Sequence, residues 1–286
     1  MSAPPVFDLK ALRDDRLATL SAFADPRRSP YAAIARHDFI GDKPLVVGSA
    51  PESDIRLDGV APRELEVRVE GDHFLKNGQR LEPGARVEVG RYTLRFSHQN
   101  FPAVLVLDRE SPLLKGPNAG PRPVWFEPDP ALCVEAKLVS EPEPEPQRRE
   151  EVVMSTRGNK RRALKLGVLE FAIAGKALKL TALRLLEPGV GEAAISVFFR
   201  DATTGKESYP VGRYVEPAPV GGDRYVLDFN RAYNPSCAFS ALYNCPIPPR
   251  ENVLPVAIRA GERDPGGHAA PQDDTAAAKG EAPVRH

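Results

Sequence analysis

The sequence predicts a mostly β protein: an N-terminal helix, a small β-sandwich segment, then a larger antiparallel β-sandwich or barrel. Three observations predict it. With 30 prolines and 22 glycines among 286 residues, long uninterrupted helices have little room. From residue 45 to 107, short apolar runs alternate with turn signals at near-regular spacing. Helical spacing of apolar residues is strongest at one place, residues 6–24.

In that first segment Phe7, Leu9, Leu12, Leu17, Leu20 and Phe23 recur near helical spacing. Asp8 is placed to cap the start, and Asp25-Pro26 to stop it. Strands are then expected at 45–48, 54–57, 65–69, 73–76, 86–89, 92–97 and 104–107. The turns between them fall at Glu70-Gly71-Asp72, Asn77-Gly78, Pro83-Gly84 and Val89-Gly90. In the second half, 163–174 and 177–186 flank Gly175-Lys176 as a hairpin. Further strands are expected at 194–199, 209–215, 225–229 and 253–259. The Glu-Pro run at 140–150 reads as an extended, solvated surface loop, and 263–286 as a disordered tail. The expected segments are thus 1–38 (helix and lead-in), 39–108, 109–262 and 263–286.

Charge excludes more than it suggests. Lys plus Arg and Asp plus Glu both number 39, so no net field recruits nucleic acid or an anionic membrane surface. No apolar run has the length of a signal peptide or a membrane span, so a cytoplasmic protein is expected. Three cysteines, Cys133, Cys237 and Cys245, are too few for a disulfide scaffold. There is no Gly-rich phosphate loop, zincin helix, nucleophile elbow or dinucleotide fingerprint, and no cofactor or metal is expected.

Two segments break the strand pattern with dense polar and turn residues, 198–214 and 228–252. In the first, Arg200 ends an apolar strand and Arg213 returns on the next, so a hairpin could bring two guanidinium forks together. Such forks suit a carboxylate or phosphate. Equally, Asp201 and Asp228 could neutralise these arginines in a structural network. The second segment is long and aromatic-rich, either a lid over a site or a self-packed loop. Cys237 and Cys245 lie too far apart for a zinc pair and have no histidine nearby. Structural burial comes first for them, then a redox-sensitive pair, then catalysis.

The strings FFRDATTGKESYPVGRY at 198–214, DFNRAYNPSCAFSALYNCPIPPREN at 228–252 and LPVAIRAGE at 254–262 resemble a bacterial family catalogued as domain of unknown function 1684. Weaker echoes occur at 29–41, 123–130 and 155–158. The resemblance spans both sides of the Glu-Pro run and implies no reaction. It marks the two polar segments as the family signature. Residues 45–97 also resemble forkhead-associated domains, through VVGSAPESDIRLDG and LKNGQRLEPGARVEVGRYTLRF. There, however, Ser49 follows Gly48, and Ala61-Pro62-Arg63-Glu64 replaces the turn that binds phosphothreonine in those domains.

The function expected on these grounds is binding of a small anionic or polar molecule at the 198–214 and 228–252 loops. Its candidate site residues are Arg200, Asp201, Thr203, Tyr209, Arg213, Asp228, Asn230, Tyr233, Asn234, Cys237 and Cys245. A hydrolase using Asp228 or Asp201 as general base is the alternative from another class. A third reading is a scaffold that docks a protein partner through residues 39–100.

Overall fold

The computed structural model describes residues 7–140 and 150–266. The expected disordered tail lies outside the described residues from 267 on, as does most of the Glu-Pro run.

Helix α1 spans Leu9–Ala24. Asp8 caps it, its carboxylate accepting the Ala11 N–H at 2.9 Å, and the chain leaves the helix at Asp25. Two sheets follow. The first orders β1 (Ala33–Asp38), β9 (Ala103–Asp108), β8 (Tyr92–Ser97) and β7 (Arg86–Val89), all antiparallel. The second orders β3 (Ile55–Arg56), β2 (Leu45–Gly48), β4 (Leu65–Glu70), β5 (His73–Lys76) and β6 (Gln79–Leu81). In it β2 and β3 run parallel and the other pairs antiparallel. Gly48 is where this sheet meets the 61–64 turn, and a Cβ there would sit 2.0 Å from the Pro62 carbonyl oxygen. No larger residue fits without moving the backbone.

A core of Val47, Ile55, Val67, Phe74, Leu94, Phe96, Val104 and Val106 lies between the two sheets. The first sheet is apolar on its other face as well. Leu105 and Leu107 of β9 join Ala32 and Ala33 against Tyr209, Val211, Cys237, Ala238, Tyr243 and Cys245. All six residues of β9 are therefore buried, which explains the unbroken apolar run AVLVL.

The second half centres on β10 (Cys133–Val139), which pairs with β12 (Lys160–Ile173) on one side and β17 (Arg224–Asp228) on the other. β11 (Glu150–Met154) and β13 (Lys176–Leu185) extend β12, and β16 (Ala218–Gly221) extends β17. A short ladder joins β14 (Val197–Phe199) to β15 (Arg213–Val215). The core here is built from Leu169, Leu180, Val197, Phe199, Leu227, Phe229, Leu254 and Ile258. Among the described residues no sheet closes into a barrel.

One expected strand is absent. Residues 253–259 form an irregular segment, joined to the rest by an isolated bridge between Arg200 and Val253. Its side chains Leu254 and Ile258 are buried as a strand's would be, but the backbone is used differently. The carbonyls of Ile258, Ala260 and Glu262 turn towards the guanidinium of Arg213 instead of a neighbouring strand. β10, in contrast, forms where no strand was expected, because partners on both edges satisfy its backbone.

Candidate functional site

Arg213 opens β15 opposite Phe199 at the end of β14. Its side chain is 1% exposed and faces Asp201, which is 0% exposed, across 2.6 Å. The same guanidinium donates to the carbonyls of Ala260 at 2.5 Å, Glu262 at 3.0 Å and Ile258 at 2.8 Å. The rings of Phe126 and Phe199 lie 5.7 and 5.4 Å away. Asp201 also accepts from the Thr203 amide and hydroxyl, and Thr203 in turn meets Ser208 at 2.8 Å. Arg213 is thus a strut joining the 198–214 hairpin to the irregular 253–262 segment. Arg200 is taken up by the Val211 carbonyl, so the two arginines do not converge on a common space. Of the two possibilities left open by the sequence, the geometry realises the network for this pair.

The second polar segment is tied down in a similar way. Asp228 accepts from the amide and side chain of Asn230, whose carboxamide also bridges both backbone groups of Asp129. The Tyr209 hydroxyl donates to Cys237 Sγ at 3.9 Å, and the Cys237 and Cys245 thiols hydrogen-bond one another. Sharing that bond moves them apart: Cys245 holds its proton more tightly than a free thiol, and Cys237 less so. Among the described residues no group of three or more His, Cys, Asp or Glu is placed to hold a metal. No described helix is long and apolar enough to cross a membrane.

A cavity of about 500 Å³ opens between the first sheet and the second half of the chain. Tyr233, Asn234 and Cys245 of the expected site residues line it. Arg200, Asp201, Thr203, Tyr209, Arg213, Asp228, Asn230 and Cys237 do not. Both polar segments still contribute, through Phe198 and Tyr214 from one and Tyr233, Asn234, Tyr243, Asn244 and Cys245 from the other.

Its charge comes from elsewhere. Arg28, Arg36, Arg95 and Arg161 stand in the wall against a single carboxylate, Glu262. Three arginines fall on one row across the first sheet. Arg86 pairs with Arg95 between β7 and β8, Arg95 with Leu105 between β8 and β9, and Leu105 with Arg36 between β9 and β1. Directly paired residues share a face, so like charges at 86 and 95 oppose each other there. Burial lowers the affinity of Arg86 for its proton, and the charges of Arg95 and Arg28 lower it further.

Partners distinguish these arginines. Arg36 is held by Asp38 at 2.8 Å, and Arg161 bidentately by Glu187 at 2.5 and 2.6 Å. Among the described residues, neither Arg28 nor Arg95 makes an ion pair. Arg95 lies 5.6 Å from the ring centroid of Tyr243, and its buried Nε has no hydrogen-bond partner. Sequence reasoning missed this arginine. Its signal was present in the hairpin: with the turn at Val89-Gly90-Arg91-Tyr92, Arg86 must face Arg95.

Glu262 is the counterpoint. Burial raises its carboxyl from 4.5 to about 7, against a hydrogen bond from the Asn234 amide and the charges of Arg213 and Arg16. A carboxyl that holds its proton more tightly folded than unfolded stabilises the fold at low pH, and that stability is lost as pH rises through about 7. The shift sets an upper limit of about 3 kcal/mol on the effect. Glu262→Gln keeps an acceptor for the Asn234 amide but carries no charge. Thermal melts should find the variant more stable than the wild type at pH 8 and level with it near pH 4. Parallel curves across the range would show that Glu262 does not titrate as its burial demands.

Together, fold and cavity define a β-rich protein with an arginine-walled space between its first sheet and its second half. Residues 124–263 match the family described as Protein of unknown function (DUF1684), and the chain belongs to that family. A solution NMR structure of an uncharacterised protein from Haloarcula marismortui is 36% identical; the match covers 51% of this chain and 78% of that one, with a TM-score of 0.41. No curated protein matches the chain.

Proposed function

We propose that the protein binds a small anion in the cavity between its first sheet and its second half, with Arg95 as the principal charge partner. The observation that carries this reading is the partly buried guanidinium of Arg95, which makes no ion pair among the described residues and faces Arg86 across the hairpin, whereas Arg36 and Arg161 of the same wall already have carboxylates. Holding like charges together without a counterion costs stability, and an anionic ligand removes that cost. A volume of about 500 Å³ lies within the range of small-molecule sites. Tyr214, Tyr233 and Tyr243 supply aromatic walls, and Glu262 can discharge itself by protonation when an anion arrives.

Neither Asp201 nor Asp228 reaches this cavity, so the reading is of binding and not of hydrolysis by either aspartate. Native mass spectrometry of freshly purified protein, beside Arg95→Met, tests it. Extra mass on the wild type that vanishes from the variant is the expected result. Equal extra mass on both proteins would place the ligand elsewhere.

A further inference from the structure

Anion binding leaves the two thiols of the 228–252 segment without a role. They come from separate pieces of backbone. Cys237 sits in the short helical turn Ser236–Ala238, and Cys245 in the strip that follows Tyr243 and Asn244. Thr156 holds that strip from the side. Its amide donates to the Cys245 carbonyl at 2.9 Å, and its Oγ1 accepts the Cys245 N–H at 3.1 Å. Cys237 and Cys245 are each 8% exposed and share one apolar cluster with Tyr209, Val211 and Ala238. Inside that cluster the two thiols hydrogen-bond one another, so the sulfurs already meet.

The two sulfurs are not equivalent. The Tyr209 hydroxyl also donates to Cys237 Sγ, at 3.9 Å, and burial keeps that phenol protonated. The hydrogen bond from Cys245, helped by the one from Tyr209, outweighs burial and lets Cys237 give up its proton more readily than a free cysteine. The same thiol–thiol bond and burial make Cys245 keep its own. One sulfur is thus the better nucleophile, and its neighbour is a resolving thiol within reach. Cys133, on β10 opposite Asp228, has no such help: burial and the Asp228 carboxylate push its thiol up to about 11.

Burial restricts what can reach the pair. A bulky reagent has little access to groups this enclosed, but Cys245 borders the cavity, so the pair lies beside space that a water-sized molecule can enter. We infer that Cys237 and Cys245 are an oxidation site, closing to a disulfide when a small hydroperoxide reaches them. The Cys237 thiolate attacks a peroxide oxygen. The O–O bond breaks, Cys237 becomes a sulfenic acid, and the leaving hydroxide takes up the proton that the thiol released. Cys245 then attacks the Cys237 sulfur; the S–S bond forms, the S–O bond breaks, and the oxygen leaves as water with the Cys245 proton. Two thiols and one hydrogen peroxide give one disulfide and two waters. The new bond joins the Ser236–Ala238 turn to the 243–246 strip, and both border the cavity. The proposal does not depend on the anion-binding reading.

Treating the full-length protein at pH 7 with hydrogen peroxide, then denaturing it in N-ethylmaleimide, tests the site by intact mass and tryptic mapping. Untreated protein should take up a maleimide at each of its three cysteines. After peroxide, only Cys133 should carry one, and the tryptic peptide 232–250, which holds both other cysteines, should be unalkylated and lighter by two hydrogens. Dithiothreitol should restore all three thiols. Full alkylation after an exposure that converts free cysteine to cystine would overturn the proposal. Oxidation of Cys133 ahead of the pair would overturn it too. Cys237→Ser removes the attacking sulfur and should leave Cys245 alkylatable under the same exposure. Loss of Cys245 at the wild-type rate in that variant would contradict the roles given to the two sulfurs. The wild-type map is decisive even if the variant folds poorly.

Discussion

Arg213→Met is expected to lower the stability of the protein by about 3–5 kcal/mol. The cost does not come from losing an attractive pair as such. It comes from what is left behind: a carboxylate at Asp201 with 0% exposure, and three carbonyls of the 258–262 segment without donors. Methionine fills much of the same volume, so packing against Phe126 and Phe199 is largely retained. Adding Asp201→Asn to Arg213→Met should recover part of the loss, because a neutral amide costs less to bury than a charge. Urea unfolding followed by circular dichroism checks this. The expected signature is a lower midpoint with an unchanged denaturant slope for Arg213→Met, partly restored in the double variant. A change within about 1 kcal/mol for Arg213→Met would contradict the strut.

Arg95→Met should leave stability almost unchanged. The variant removes a charge that faces Arg86 and a buried Nε without a partner, while giving up the interaction with the Tyr243 ring. The repulsion relieved is of the order of 0.2–1 kcal/mol. The cation–π attraction given up is of similar size, ~0.5–1 kcal/mol. Stability should therefore stay within about 1 kcal/mol of the wild type. Binding should not survive as well. A hydrogen-bonded charge partner is worth roughly 1.5–3 kcal/mol, so anion affinity should fall about tenfold to a hundredfold. On the proposed reading the two variants should separate cleanly, Arg213→Met in stability and Arg95→Met in anion affinity. A variant at 95 that unfolds easily but binds normally would invert that assignment.

Why the sequence pointed to Arg213 and not to Arg95 has a physical answer. Local pattern shows which residues are polar inside apolar country, and both Arg200 and Arg213 stand out there. It does not show that 253–262 returns as an irregular strip whose carbonyls consume Arg213. That is a contact between residues 45 positions apart, invisible to periodicity. Arg95 looks ordinary in a strand that alternates polar and apolar residues. Its meaning appears only when β9 is seen to bury both faces, so that the outward side of the first sheet is covered by the second half of the chain.

Local signals were read well where they were local. Asp8 and Asp25 bound helix α1 as expected, and the hairpin turns place β7 and β8 at their expected residues. The 198–214 and 228–252 segments do meet a cavity, through Tyr214, Tyr233, Asn234 and Cys245. What the chain order hid was the third contributor, Arg95 of β8 and Arg36 of β1, which lie in the other half of the sequence.

The most direct test of the anion site is an X-ray structure of crystals soaked in tungstate, a heavy tetrahedral dianion located by its anomalous scattering. The account predicts one strong anomalous peak within hydrogen-bonding distance of Arg95, between the first sheet and Tyr243. A cavity without a peak, with tungstate bound at other arginines instead, would contradict it.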